Sequence, residues 1–147
     1  MGIPAELRAQ EYTPTGGSWR INQDEVLELT LGPRVEEHRD TVGEAHWARD
    51  LYEQLKRADP SRQWDAIVSL KRLPAHYNPP LAMRMVFTQM IKDPKTRRVA
   101  MLDFTSWQKF ITQTFMITRD ARPKVRFCKS LKEAQDWVRT QSSDSTK

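Results

Sequence analysis

The residues of this chain with the widest chemical repertoire are three histidines, His38, His46 and His76, and a single cysteine, Cys128. His38 and His46 stand eight positions apart on a segment of helical character. At about 100° per residue they point roughly 80° away from each other, too far round to share a metal ion. Each histidine is therefore expected to be solvated or hydrogen-bonded, not a ligand or catalytic base. Cys128 has no second cysteine to pair with, and no Cys/His cluster has the spacing of a structural zinc site. It is expected to be a small buried apolar residue on a strand; Arg126 and Lys129 would lower its pKa only if it were exposed. No P-loop or Gly-x-Gly-x-x-Gly pattern occurs, and five glycines leave little backbone for cradling a phosphate. These residues predict no metal site, no cofactor and no catalytic set: a binding protein, not an enzyme.

The residues best placed for binding are Lys71, Arg72, Tyr77, Asn78, Arg84, Asp103 and Trp107. They fall in residues 71–84 and 103–107, which leave the carboxyl ends of two neighbouring predicted strands, where open α/β sheets place their ligands. Tyr77, Trp107 and Arg84 would offer the aromatic and cationic groups common at interaction hot spots, although a helical Trp is also a normal core residue. Asp103 suits either a functional role or the cap of the helix that follows. The net charge is +5, which favours acidic partners. Acidic and basic residues are interspersed over most of the chain, with basic clusters at Lys95, Arg97 and Arg98 and again at Arg119, Arg122, Lys124, Arg126 and Lys129. Such clusters are either solvated faces or nucleic-acid contacts.

The elements that must position these residues follow from periodicity. A chain of 147 residues, 38% hydrophobic and 29% charged, has the size and composition of one globular domain. Residues 1–17 carry Pro4, Pro14, Gly16 and Gly17 without apolar periodicity and are expected to form an irregular, mobile leader. The domain is expected over residues 18–141 and a frayed Ser-rich tail over 142–147. Residues 18–21 and 26–31 predict a β-hairpin around the polar turn 22–25, with Leu27, Leu29 and Leu31 on one face. Residues 36–58 predict a helix, with Thr41, Ala45, Ala48, Tyr52 and Leu55 facing inward, Glu36 and Glu37 at its start and Lys56 and Arg57 at its end. Residues 66–70 predict a strand buried on both faces, and Asn78 the N-cap of a helix carrying Met83, Val86, Phe87, Met90 and Ile91 inward. Residues 98–104 predict the next strand, and Thr105-Ser106-Trp107-Gln108 a capping box whose helix buries Trp107, Phe110, Ile111 and Phe115. A last strand, 124–128, leads to a second capping box, residues 130–133, and a helix burying Leu131, Ala134 and Val138. The fold class is α/β: a hairpin, then alternating helices and strands, giving a mixed, mostly parallel five-stranded sheet with four helices. The N-terminus lacks the pattern of a secretory signal and no apolar run reaches membrane-spanning length, so a soluble cytoplasmic protein is expected.

This order over residues 18–139, and above all its second half, resembles the STAS or SpoIIAA-like fold of sulfate transporters and anti-sigma-factor antagonists. Arg-Val-Ala-Met-Leu-Asp at 98–103 leads through Trp107 to Thr118, then to Pro-Lys-Val-Arg-Phe-Cys-Lys-Ser-Leu-Lys-Glu-Ala-Gln-Asp-Trp-Val at 123–138. The closing Glu-Ala-x-x-Trp helix is similar to that of stand-alone bacterial STAS-like proteins. The resemblance implies a non-catalytic regulatory module that docks a protein partner, with a homodimer as a further arrangement. It does not carry over the phosphorylation switch: residues 70–80, where the family's Asp-Ser-Ser-Gly-like motif would stand, contain neither Ser nor Thr, and Ser69 belongs to the predicted strand. Two alternatives stand beside it. Met83, Met90, Met116, Phe110 and Phe115 would suit a carrier or sensor of a small apolar or lipid-like ligand, and the basic run 119–129 would suit nucleic acid.

Overall fold

The computed structural model describes residues 3–32 and 38–139, without the side chains of residues 38–41. Six strands form one sheet in chain order: β1 (Ala9–Tyr12), β2 (Gly17–Ile21), β3 (Leu27–Thr30), β4 (Trp64–Ser69), β5 (Thr96–Leu102) and β6 (Val125–Phe127). β1, β2 and β3 pair antiparallel; β3 to β6 pair parallel. Each parallel step is bridged by a helix, α1 (His38–Ala58), α2 (Leu81–Lys92) and α3 (Ser106–Phe115), and α4 (Leu131–Arg139) follows β6. The β2–β3 turn closes on Asn22, whose Oδ1 accepts from the N–H groups of Asp24 and Val26 at 2.8 and 3.1 Å. Such side-chain capping is the reason Asn favours tight turns.

Alternation along the strands gives each face of the sheet its own core cluster, and Ile91, Ile117 and Ala121 form a third, smaller one. Trp19, Leu27, Leu29, Trp64, Val99 and Met101 join Ala45, Ala48, Tyr52 and Leu55 of α1 and Met83, Val86 and Phe87 of α2. Ile67, Ala100 and Leu102 belong to a second cluster with Cys128 and with Ala134 and Val138 of α4. The inward faces expected for α1 and α2 are thus the observed ones over the described residues; Thr41, Glu36, Glu37 and the tail 142–147 lie outside them.

The sheet has six strands where five were expected. The additional strand, β1, lies within the stretch expected to be an irregular leader. Its Ala-Gln-Glu-Tyr sequence leaves every residue exposed or half-buried, so no apolar alternation marks it. Backbone pairing to β2 holds it instead, anchored by buried Leu7, whose carbonyl accepts from Trp19 Nε1 at 2.8 Å. Asn78 is not the cap of α2, which begins at Leu81 behind Pro80 without any side-chain cap. Pro80 holds Pro79 extended and so keeps Asn78 clear of the first turn. Leu131 is 51% exposed, not inward-facing, because α4 packs over β4 and β5 and its first turn starts outside that contact.

A carboxylate locks the N-terminal hairpin onto α1. Glu44, fully buried, accepts from the Thr15 hydroxyl and from the Gly32 N–H, the latter at 3.2 Å. Gly17 is required beside it, since a Cβ there would run into the Glu44 carboxylate. Gly32 has φ of +149°, and a Cβ on it would stand 2.6 Å from Arg72 Cβ. Burial raises the Glu44 pKa above its usual 4.5, against the opposing pull of Thr15, Gly32 and Arg72.

Candidate functional site: the face of α2 and α3

The loops leaving β4 and β5 converge. Ser69 Oγ donates to Asp103 Oδ2 at 2.6 Å, the Thr105 hydroxyl to the Ala75 carbonyl at 2.8 Å, and Gln108 Nε2 to the Pro74 carbonyl at 3.1 Å. Trp107 Nε1 donates to the Tyr77 carbonyl at 3.3 Å. The predicted capping box is present: Thr105 Oγ1 accepts from the Gln108 N–H at 3.1 Å and Gln108 Oε1 from the Thr105 N–H at 2.8 Å. Thr105 therefore caps α3 and Asp103 does not; Asp103 is exposed, with φ of 57°, a left-handed conformation that Asp tolerates.

The seven residues singled out by sequence differ in exposure and role. Lys71, Asn78, Asp103 and Trp107 are exposed. Arg84 is half-buried with its guanidinium 4.9 Å from the ring centre of Phe115, which ties α2 to α3. Arg72 reaches back to the Gly16 carbonyl and belongs to the hairpin lock instead of the binding face. Tyr77 is buried and presents no ring to solvent; it lines the cavity beneath the face.

The aromatic stripe of α3 faces outward, opposite to expectation. Trp107, Phe110 and Phe115 are 37%, 52% and 51% exposed, while Gln108, Ile111 and Thr112 are buried. At about 100° per residue, the buried face is rotated roughly 80° from the apolar stripe. The first turn sets this rotation, because Gln108 is committed to the cap and to Pro74 and Trp107 to the Tyr77 carbonyl. Thr112 is buried at little cost, its hydroxyl donating to the Gln108 carbonyl at 2.8 Å. Leu81 and Met85, one turn apart on α2, are also exposed, by 62% and 54%. Neither α2 nor α3 contains an acidic residue. From residue 66 to residue 119 the chain has nine Lys or Arg against only Asp93 and Asp103. That asymmetry was visible in the sequence, but reading the charges as interspersed passed over it.

Beneath this face the core is incompletely filled. A cavity of about 100 Å³ lies between Leu29, Val68 and Met101 of the sheet and Met83, Phe87 and Ile111 of the helices. Ala66 and Val68, expected to be buried on a two-sided strand, remain half-buried where they border it. Most polar side chains on its wall have partners: the Tyr52 hydroxyl and Thr96 Oγ1 are 2.7 Å apart, and Gln108 and Thr112 are bonded as described. Burial pushes the Tyr52 pKa up to about 12, so it stays a neutral phenol. Trp64, 1% exposed, also lines the cavity, and its Nε1–H has no hydrogen-bond partner.

Of the remaining chemical candidates, Cys128 and the basic run sit elsewhere. Cys128 is buried among the α4 contacts, and burial raises its pKa, so the thiol is held neutral. The basic run 119–129 does not form one stripe: Lys124 Nζ turns in to the carbonyls of Ile91 and Asp93 at 3.2 and 3.1 Å, while Arg126 lies over Trp137 on α4. His76 is exposed beside Trp107, with ring centres 6.5 Å apart. Among the described residues no group of three or more His, Cys, Asp or Glu could hold a metal ion. No helix among them is long and apolar enough to cross a membrane. Compared with protein-family models, curated proteins and solved structures, the chain matches none.

Proposed function

We propose that the chain is a non-catalytic docking module of the STAS-like kind, which holds an acidic protein partner on the face of α2 and α3. The observation that carries this reading is the outward aromatic stripe of α3. Burying a Phe or Leu side chain is worth about 1.5–3 kcal/mol, so a helix that turns Trp107, Phe110 and Phe115 to solvent while burying Gln108 and Thr112 forgoes stability that a partner can recover. Leu81 and Met85 add exposed apolar side chains on α2, and Met adapts to an irregular partner surface. The charge around it favours one sign of partner: Arg84, Lys109, Lys71 and Lys92 surround helices without a carboxylate. An amphipathic segment with an apolar ridge and acidic flanks meets both requirements. The consecutive order of β3 to β6 with a helix at each step supports the STAS-like reading. Without Ser or Thr in residues 70–80, regulation would act through docking and not through phosphorylation of that loop.

A photo-crosslinking amino acid at position 110 of the full chain will join the neighbour covalently for identification by mass spectrometry. With that partner purified, Trp107→Ala and Phe110→Ala should each weaken binding about tenfold or more. Leu131→Ala, on α4, should leave the affinity unchanged. Loss on Leu131→Ala with full binding by both α3 variants would move the interface off this face.

A further inference from the structure

We infer that the cavity under α2 and α3 is a binding site for a compact apolar molecule carrying one hydrogen-bond acceptor, which the indole N–H of Trp64 takes. Its size suits such a ligand. At about 100 Å³ it is somewhat smaller than an apolar void of roughly 150 Å³ that stays dry and takes up benzene or xenon. A single ring or a short branched chain fits that space; a long acyl chain does not.

The wall supplies both kinds of contact. Leu29, Val68, Met83, Phe87 and Met101 give a polarizable apolar lining, and two unbranched Met side chains can shift to follow a ligand's shape. Against this lining, one polar atom is left over. A buried donor without a partner is costly, and few native donors remain so. Water is a poor candidate to satisfy it, because an enclosed water needs two to four polar partners. Tyr52, Thr96, Gln108 and Thr112 already have theirs. A ligand with a single carbonyl or ether oxygen on a hydrocarbon body matches one free donor in an apolar wall. This site is separate from the docking face: its lining is buried or half-buried beneath the helices, and its occupancy is measured with no partner present.

Toluene and benzaldehyde are the probes, one ring without and one with an acceptor. On the ¹⁵N-labelled full chain, both should produce saturable shifts of resonances around the cavity. Only benzaldehyde should move the Trp64 indole proton downfield, with that resonance assigned from its absence in Trp64→Phe. Ala66→Leu, which builds into the cavity from β4, should weaken both probes at least tenfold while the spectrum stays dispersed. Val68→Leu, a smaller intrusion, replaces it if that variant unfolds. Absence of saturable binding, or binding unchanged by the filling variant, would overturn the site. An equal response of the indole proton to both probes would overturn the role of Trp64.

Discussion

Glu44 shows how far a residue's meaning depends on what folds around it. In the sequence it is one helical glutamate among several; in the molecule it is a buried carboxylate bonded to Thr15 and Gly32, which stand 29 and 12 positions away. Because burial holds its proton more firmly in the folded chain than in the unfolded one, its contribution to stability is full below the usual value of 4.5 and is lost as pH rises through the raised value. Asp93 runs the other way: burial raises its pKa, but Lys56 and the Lys95 N–H outweigh this and hold it below 3.8, so its contribution fades as pH falls through the lowered value. A Glu44→Gln variant keeps Asp93 and removes only the Glu44 titration. Its urea midpoint relative to wild type should therefore climb as pH rises above the usual carboxylate value of 4.5 and level off once pH has passed the raised value. A gap that does not change with pH would mean that Glu44 titrates as an exposed carboxylate does.

The helix α3 illustrates where amphipathic reasoning stops. Its start was legible, since Thr105-Ser106-Trp107-Gln108 has the spacing of a reciprocal cap and the cap is there. Its rotation was not, because an apolar stripe is assigned to the interior only by assuming that the helix spends its hydrophobicity there. The cap itself, by turning Gln108 toward Pro74, aims the stripe outward. Unfolding free energies will distinguish the two orientations. Phe110→Ala should cost no more than about 0.5–1 kcal/mol, as at an exposed position, whereas Ile111→Ala should cost about 2 kcal/mol or more. The reverse order would place Phe110 in the core. β1 was missed for a related reason: an edge strand held by main-chain pairing and by one anchoring Leu leaves no alternating side-chain record.

Across the molecule, charge is segregated more than the total of +5 suggests. The stretch carrying α2, β5 and α3 is strongly basic, while residues 9–30, which span β1 to β3, carry Glu11, Asp24, Glu25 and Glu28 against Arg20 alone. Long-range attraction acts on encounter more than on the assembled complex. For a partner captured at position 110, raising salt from about 50 to 500 mM should slow association several-fold and leave dissociation nearly constant, as read by stopped-flow or surface-based kinetics. Salt-independent association would show that the basic surroundings of α2 and α3 do not steer the partner.

The α/β order, the hairpin, the parallel succession from β3 to β6 and the inward faces of α1 and α2 could all be read in advance. They rest on strand and helix periods, turn residues and caps, which act over a few neighbouring positions. Six strands instead of five, the lock around Glu44, the inward turn of Tyr77, the outward stripe of α3 and the cavity beside Trp64 came only with the folded chain. Each is settled by contacts between segments distant in sequence, where the direction of a side chain depends on what another element has already occupied.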